Sequence, residues 1–336
     1  MKGNELTMDK FKQVKTISIL ALIVFLFVLP GITSSPAVMY IMIWIFLYSL
    51  VCGTFRFVTM TGDWTFAHVG IMAVGAYTSM LLTMKLGWSV WPAMVTSSII
   101  ALAVGMVLYS LCLKTRAVTF FWVTWAFGEI IRQVFARFKH PFGGHIGISG
   151  IPGPTISIPG FIEIGFETQM SYYYLGLFLA VVIFLIMYLV ERSRVGLTLK
   201  SIDVNWELSE SLGVNVFGYR LLALAIGSFF VGIAGSFYAH WIHFLSPADF
   251  GIGFGILVLL YVVVGGHKTM WGPIIGVTIF IILSRLVLSR LEEYLMPVLG
   301  LILMLTLGLF REGLESVPRR IFPWIKATFT RTRKEA

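Results

Sequence analysis

The sequence predicts an all-α polytopic membrane protein with about ten transmembrane helices (eight to ten), and three observations carry that reading. Hydrophobic residues make up 58% of the 336 residues and charged residues 12%, with a mean hydropathy of +0.90, which excludes a soluble globular class. The apolar residues come in continuous runs, and crossing hydrocarbon takes about 20 such residues in a helix. A membrane barrel would instead alternate apolar and polar residues over segments of about ten. Lysine and arginine, finally, fall mainly on one side of those runs.

Ten candidate spans lie near 16–34, 38–58, 66–84, 91–113, 117–137, 171–190, 220–241, 253–266, 271–290 and 294–310. The first follows a basic start, as a secretory signal would, but no A-x-A cleavage site follows it. It reads as a span that Pro30-Gly31 ends. The run at 253–266 is short and glycine-studded, so a broken or re-entrant segment is expected there. Cys52 and Cys112 both fall inside spans and show no disulfide or metal-ligand spacing, so they read as small packing residues.

With the N-terminus inside, nineteen of the 25 lysines and arginines fall in cytoplasmic segments, and Lys85, Arg132, Arg137, Lys139, Arg285 and Arg290 lie at or near the outer side. That asymmetry is the positive-inside rule. It places both termini in the cytoplasm, and it accounts for the net charge of +9 without a nucleic-acid partner. Residues 1–317 read as one membrane domain. A basic tail, 318–336, would lie along the inner surface or be disordered.

Glu191–Arg220 is a polar island between membrane-grade runs, which the charge pattern places in the cytoplasm. Its composition is helical, and Leu212-Gly213 is a plausible stop. Asp203, Glu207 and Glu210 recur at i, i+4 and i+7, giving one acidic helical stripe, and Leu199, Ile202 and Trp206 give an apolar one. Such an element suits a shaft by which a cytoplasmic body pushes on the membrane part. The alternative is a solvated face with a packed back. On the other side, the loop at about 138–170 is rich in Gly and Pro, which favour turns. It reads either as a compact connector or as a lip on which an extracytoplasmic partner rests.

Few polar residues enter the spans. Glu129 is the deepest acid, where a carboxylate costs about 3 kcal/mol on insertion scales. Arg132, three residues on, shares its helix face. The two are either an interhelical packing pair or, for Glu129, a lining group of a solute path. Asp63 and His68 flank Trp64 just before the next helix, whose free N–H groups suit an anionic ligand end. Asp63 alternatively serves as an N-cap, and His68 as a satisfied structural histidine. Gly272 and Gly276, and Gly232 with Ser236, have the four-residue spacing of close helix packing. Gly265-Gly266-His267-Lys268-Thr269 looks like the tail of a phosphate-binding loop but lacks the glycine five residues before the G-K step. The chain is therefore expected to bind no cofactor itself.

Several segments, in order, match one family. They include Phe66-Ala67-His68-Val69-Gly70, Gly75-Ala76-Tyr77, Ala126-Phe127-Gly128-Glu129-Ile130-Ile131-Arg132 and Gly143-Gly144 through Pro152. Further along come Arg192-Ser193 with Gly196, Leu212-Gly213-Val214-Asn215, Ala234 through His240, Ser246-Pro247 with Phe250, Val264-Gly265-Gly266 and Trp271-Gly272-Pro273. The chain resembles the larger permease subunit of branched-chain amino acid ABC importers, a multi-pass protein of the bacterial or archaeal plasma (inner) membrane. The resemblance implies a second permease subunit, two cytoplasmic ATPases that carry ATP and Mg, and an extracytoplasmic substrate-binding protein. It implies that the segment at about 191–219, with Gly196, Lys200, Asp203, Glu207, Glu210 and Gly213, docks into the ATPases. Asp63, His68, Glu129 and Ser246 are the translocation-path candidates. Two departures stand out: Asp203-Val204-Asn205 where relatives carry Arg-Glu-Asn, and Lys268-Thr269 where they carry Gly-Ser. The solute expected is a branched-chain amino acid, with urea, short amides or other small carboxylates as alternatives. The rival classes are an ion-coupled secondary transporter, which needs buried coupling charges, a membrane-embedded enzyme, for which no catalytic constellation occurs, and a passive channel.

Overall fold

In a computed structural model of the chain, the residues described are 2–33, 35–115, 117–158, 162–166 and 168–287, with isolated residues and one turn between 297 and 316. The helices are α1 (Lys2–Ile32), α2 (Pro36–Thr59), α3 (His68–Leu86), α4 (Val90–Cys112), α5 (Ala117–Arg137), the short α6 (Lys139–Phe142), α7 (Gln169–Arg192), α8 (Arg194–Val204), α9 (Trp206–Ser211), α10 (Val216–Ile242), α11 (Ile252–Gly265) and α12 (Trp271–Ile282). Four short strands accompany them: β1 (Ile148–Ser149), β2 (Thr155–Ile158), β3 (Ile162–Gly165) and β4 (Phe244–Leu245).

Five helices, α2, α3, α4, α7 and α10, are long and apolar enough to cross a membrane, and three shorter apolar stretches lie at Ile17–Ile32, Ile252–Gly265 and Trp271–Arg285. The chain is a multi-pass α-helical membrane protein, but the described residues do not support ten spans. The physical reasons differ by segment. α5 has 21 residues but carries Glu129, Arg132, Gln133 and Arg137. α11 has 14 residues, about 21 Å at 1.5 Å per residue, against a hydrocarbon core of about 30 Å. The run at 294–310 lies largely, and the tail at 318–336 wholly, outside the described residues.

α10 is the centre of the bundle, packed between α3 and α4, and small residues let the backbones touch. A Cβ on Gly75 of α3 would sit 2.5 Å from the Gly232 carbonyl oxygen of α10, and one on Gly232 would sit 3.0 Å from Cα of Ser98 on α4. Gly272 and Gly276 do the same for α12, lying directly against the carbonyls of Gly266 and Tyr261. Gly75, Gly232, Gly272 and Gly276 lie where the backbones approach closely. α1 is held differently. Pro30 has no N–H to give the Leu26 carbonyl one turn back, and the Tyr173 hydroxyl of α7 donates to that carbonyl at 2.6 Å instead.

The described residues of the loop between α6 and α7 contain two-stranded ribbons that an all-α expectation does not include. β2 and β3 form a hairpin, Thr155 opposite Gly165 and Ile158 opposite Ile162. β1 pairs antiparallel with β4, Ile148 opposite Leu245 and Ser149 opposite Phe244. That second ribbon stitches the loop to the end of α10. Two histidines reinforce it: His240 Nδ1 lies 2.7 Å from the Pro152 carbonyl and His243 Nδ1 lies 2.7 Å from that of Ile151. A carbonyl only accepts, so each ring carries a proton on Nδ1, and Ser79 Oγ lies 2.8 Å from Nε2 of His240.

α11 sits at a revealing depth. Phe254 stacks near Tyr48 of α2 with ring centroids 5.4 Å apart, the Cys52 thiol lies 3.8 Å from the Val258 carbonyl, and Arg56 bonds the His267 carbonyl at 2.9 Å. The two helices therefore run side by side in one direction. α11 begins level with Tyr48, midway along α2 and about 12 Å from Arg56. The segment is short, as expected, but it is one continuous helix from Ile252 to Gly265, and the irregular backbone lies before it. The chain between α10 and α11 descends through β4 and a tight turn at Pro247–Phe250, irregular backbone that membranes tolerate only within protein or beside a cavity.

Candidate functional site

The polar island folds as two helices. α8 ends at Asn205, whose extended backbone (φ −160°, ψ 100°) breaks the helix and whose side chain caps α9, accepting from Leu208 N at 2.9 Å. The single acidic stripe expected from the sequence is thereby divided: Asp203 belongs to α8, and Glu207 and Glu210, both exposed, belong to α9. The expected stop is present, with Gly213 at φ +85° just beyond α9, a conformation that favours glycine. Gly196 has a steric reason, since its α-carbon faces the Glu191 carbonyl directly. That contact folds α8 sharply back on the end of α7.

Both ends of the island are pinned to the membrane bundle by buried ion pairs. At the first, Arg56 of α2, 1% exposed, donates Nη1 to Glu191 Oε2 at 2.5 Å and Nη2 to Glu191 Oε1 at 3.0 Å. Lys200 of α8 adds its ammonium to Oε1 at 2.8 Å. Arg56 directs two further donors at the chain after α11, Nε to the His267 carbonyl and Nη2 to that of Lys268, each at 2.9 Å. At the second, Arg220 of α10 donates Nε to Asp63 Oδ2 at 2.6 Å and Nη2 to Asp63 Oδ1. Thr61 completes that carboxylate with a hydroxyl bond of 2.9 Å. Paired, fork-shaped guanidinium–carboxylate contacts of this kind are the strong, geometrically specific ones.

Asp203 and His267 stand between the two clamps. Partial burial raises the Asp203 carboxyl above its ordinary value, His267 opposes that rise, and the Asp63 charge adds to it. Burial lowers the His267 imidazole below its usual 6.5, while the Asp203 and Glu315 carboxylates pull it back up. Glu315 closes the turn after α11, accepting Lys268 N at 2.9 Å and Thr269 N at 3.0 Å together with the Thr269 hydroxyl.

The translocation-path candidates separate. Asp63 is paired with Arg220, and Ala67 occupies the N-cap of α3. His68 is buried, with Nε2 2.9 Å from the Thr54 hydroxyl, and does not line the recess described next. Ser246 caps the Pro247–Phe250 turn reciprocally with Asp249, accepting Ala248 N at 3.3 Å while Asp249 accepts Ser246 N at 3.0 Å. Glu129 bonds Arg132 at 2.8 and 2.5 Å and Gln133 at 2.7 Å, and stays about a third exposed. It lies on the rim of a shallow recess with Phe66, Gly70, Trp125, Gly128 and Ile252. There α3 and α5 cross glycine on glycine, a Cβ on Gly70 falling 2.9 Å from Cα of Gly128. The recess thus gathers residues of α3, α5 and the mid-depth start of α11.

The family model described as "Branched-chain amino acid transport system / permease component" matches residues 37–307. The chain belongs to that family. Its match takes in both clamps, the island and the recess. The high-affinity branched-chain amino acid transport system permease protein LivM of Escherichia coli (strain K12) is 28% identical over 280 residues, 78% of this chain and 66% of that relative, just under two thirds of its length. The nucleoside ABC transporter permease protein NupC of Lactococcus lactis subsp. cremoris is 30% identical over 154 residues, 44% of this chain and 45% of the relative. The guanosine ABC transporter permease protein NupQ of Bacillus subtilis (strain 168) is 24% identical over 222 residues, 63% and 68% of the two chains. No solved structure matches at the level of significance these relatives reach.

In this family member, sequence reasoning found the island but missed the clamps. In the charge pattern Arg56 and Arg220 are two inside charges among nineteen, and Glu191 is the island's first residue. The available signal was four charges of balanced sign at the ends of otherwise apolar spans, a placement that is costly unless paired.

Proposed function

We propose that the chain is the membrane-spanning permease subunit of an ATP-driven importer that carries branched-chain amino acids. It works with a second permease, two cytoplasmic ATPases that hold ATP and Mg, and an extracytoplasmic binding protein, and is itself non-catalytic. The observation that carries the reading is the doubly clamped island. A segment that were merely a linker would not need two buried ion pairs, whose ions each cost several kcal/mol to desolvate, to hold its two ends against the bundle. Rigid attachment is what a part that receives force requires. α8 and α9 are the segment the ATPases grip, with Asp203, Glu207 and Glu210 as contact residues, although the break at Asn205 divides them into two faces.

In this reading both termini are cytoplasmic, and α1 and α5 join the five long helices as crossings. α11 enters only half way, and α12 with the residues after 287 completes the return. The recess at Glu129 and Ile252 belongs to the solute path. ATP binding in the partners biases the equilibrium between outward-open and inward-open states through contacts that differ between them. The named nucleoside and guanosine permeases support a second reading of the solute alone, a nucleoside in place of an amino acid.

Reconstitution in vesicles with the partner subunits tests this. Leucine should enter only with ATP and binding protein present, and guanosine uptake in its place would select the second solute. Uptake that survives ATP depletion and collapses with an uncoupler would refute the importer in favour of ion coupling.

A further inference from the structure

Arg56 is buried where three parts meet. It belongs to α2, its guanidinium grips Glu191 at the junction of α7 and α8, and its other donors hold the His267 and Lys268 carbonyls just past the end of α11. Gly196 packs α8 directly on the Glu191 backbone, and Lys200 bonds the same carboxylate, so α8 and Glu191 move as one piece. α11 is a stiff rod about 21 Å long. Its backbone has glycine at both limits: Gly251, extended (φ −74°, ψ 175°) and without a side-chain cap, before it, and Gly266 at φ +109° after it. Few-residue terminal joints of this kind absorb rigid-body motion. The inner end of the rod is at Arg56, and the other end, at Ile252, is on the recess with Glu129.

We propose that Arg56 is a positioning residue that transmits displacement of the cytoplasmic island to α11, and through α11 to the mid-membrane recess. This rests on the importer reading above and names the route inside the subunit. The chemistry requires arginine. A planar guanidinium serves a carboxylate with two donors and still directs others at two carbonyls, whereas a lysine ammonium keeps the charge and loses the fork. Were Arg56 present only to neutralise Glu191, lysine would suffice. The route is a continuous chain of contacts from Glu191 through Arg56 to the residues after α11.

The test uses the full importer with its ATPases in lipid nanodiscs, carrying spin labels in pairs. Leu86 at the far end of α3, Leu197 on α8 and Ile256 on α11 are all exposed, so Leu86–Leu197 reports the island and Leu86–Ile256 reports α11. In the wild type both distances should shift when the ATP-bound state is trapped. In Arg56→Lys the Leu197 shift should persist, the Ile256 shift should shrink by at least half, and solute imported per ATP hydrolysed should fall about tenfold, within the usual range of coupling between sites. Should Arg56→Lys fail to assemble, the neutral pair Arg56→Gln with Glu191→Gln removes the fork without leaving a lone buried charge, since Lys200 is about half exposed to solvent, and the same loss is expected. An unchanged Ile256 shift with unchanged transport per ATP, in whichever variant assembles, overturns the proposal, as does a wild type whose island moves while α11 does not. A wild type that binds no ATPase, or whose Leu197 distance never changes, instead removes the importer reading beneath it.

Discussion

Removing Arg220 should be among the most damaging single changes available outside the helix crossings. Among the described residues Asp63 would keep only the Thr61 hydroxyl, and its carboxylate, 6% exposed beside an arginine 8% exposed, would be left charged and largely dry. Breaking a buried pair from one side costs about 3–5 kcal/mol, whereas an exposed pair is worth about 0–1. We expect Arg220→Ala and Asp63→Ala each to cost at least 3 kcal/mol by that range. The double variant should cost clearly less than the two added together, because neither leaves the other's charge stranded. Reversible unfolding in mixed micelles, run on all four corners of the cycle, reads this directly. Single losses below about 1 kcal/mol, or strict additivity, would show that water reaches the pair and that the clamp is no clamp.

Three further outcomes are expected. Gly75→Val should cost about 1–3 kcal/mol or abolish folding, because its side chain meets the α10 backbone, while Gly31→Ala, with no neighbouring atom within 4 Å, should leave the unfolding midpoint unchanged. Tyr173→Phe should lose about 1 kcal/mol by orphaning the Leu26 carbonyl, and Pro30→Ala should erase that loss by restoring the helical N–H, as a double-mutant cycle would show. His267 titrates below its usual 6.5 in the folded chain, so the unfolded chain takes up the proton more readily. Its contribution to stability is therefore present above that pH and is lost as pH falls through it. His267→Gln should flatten the fall in thermal midpoint between about pH 7.5 and 5.5.

How much of this was legible in the sequence follows from physical range. The helical composition of the island and the shortness of α11 are local properties, legible in composition and run length. The break at Asn205 is local too, yet the i, i+4, i+7 spacing of Asp203, Glu207 and Glu210 concealed it. An asparagine one residue before Trp206-Glu207 is a helix-start signal that competed with that period and won. Partnerships between distant residues were out of reach. Nothing near Asp63 points to Arg220, 157 positions away, and the Gly70–Gly128 crossing requires knowing which helices meet. α5 is ambiguous for a different reason: Glu129, Arg132, Gln133 and Arg137 lower its hydropathy as a span, and of these Glu129 lies at the recess.

The central claim is that α8 and α9 are gripped by a cytoplasmic ATPase. Leu208, 57% exposed on α9, offers the most direct test, because both native cysteines are buried and Leu208→Cys supplies an accessible thiol. In the assembled importer that cysteine should cross-link to an ATPase subunit, and an impermeant thiol reagent should reach it only from the inner face. Labelling of intact cells from outside, with no ATPase adduct formed, would contradict the account.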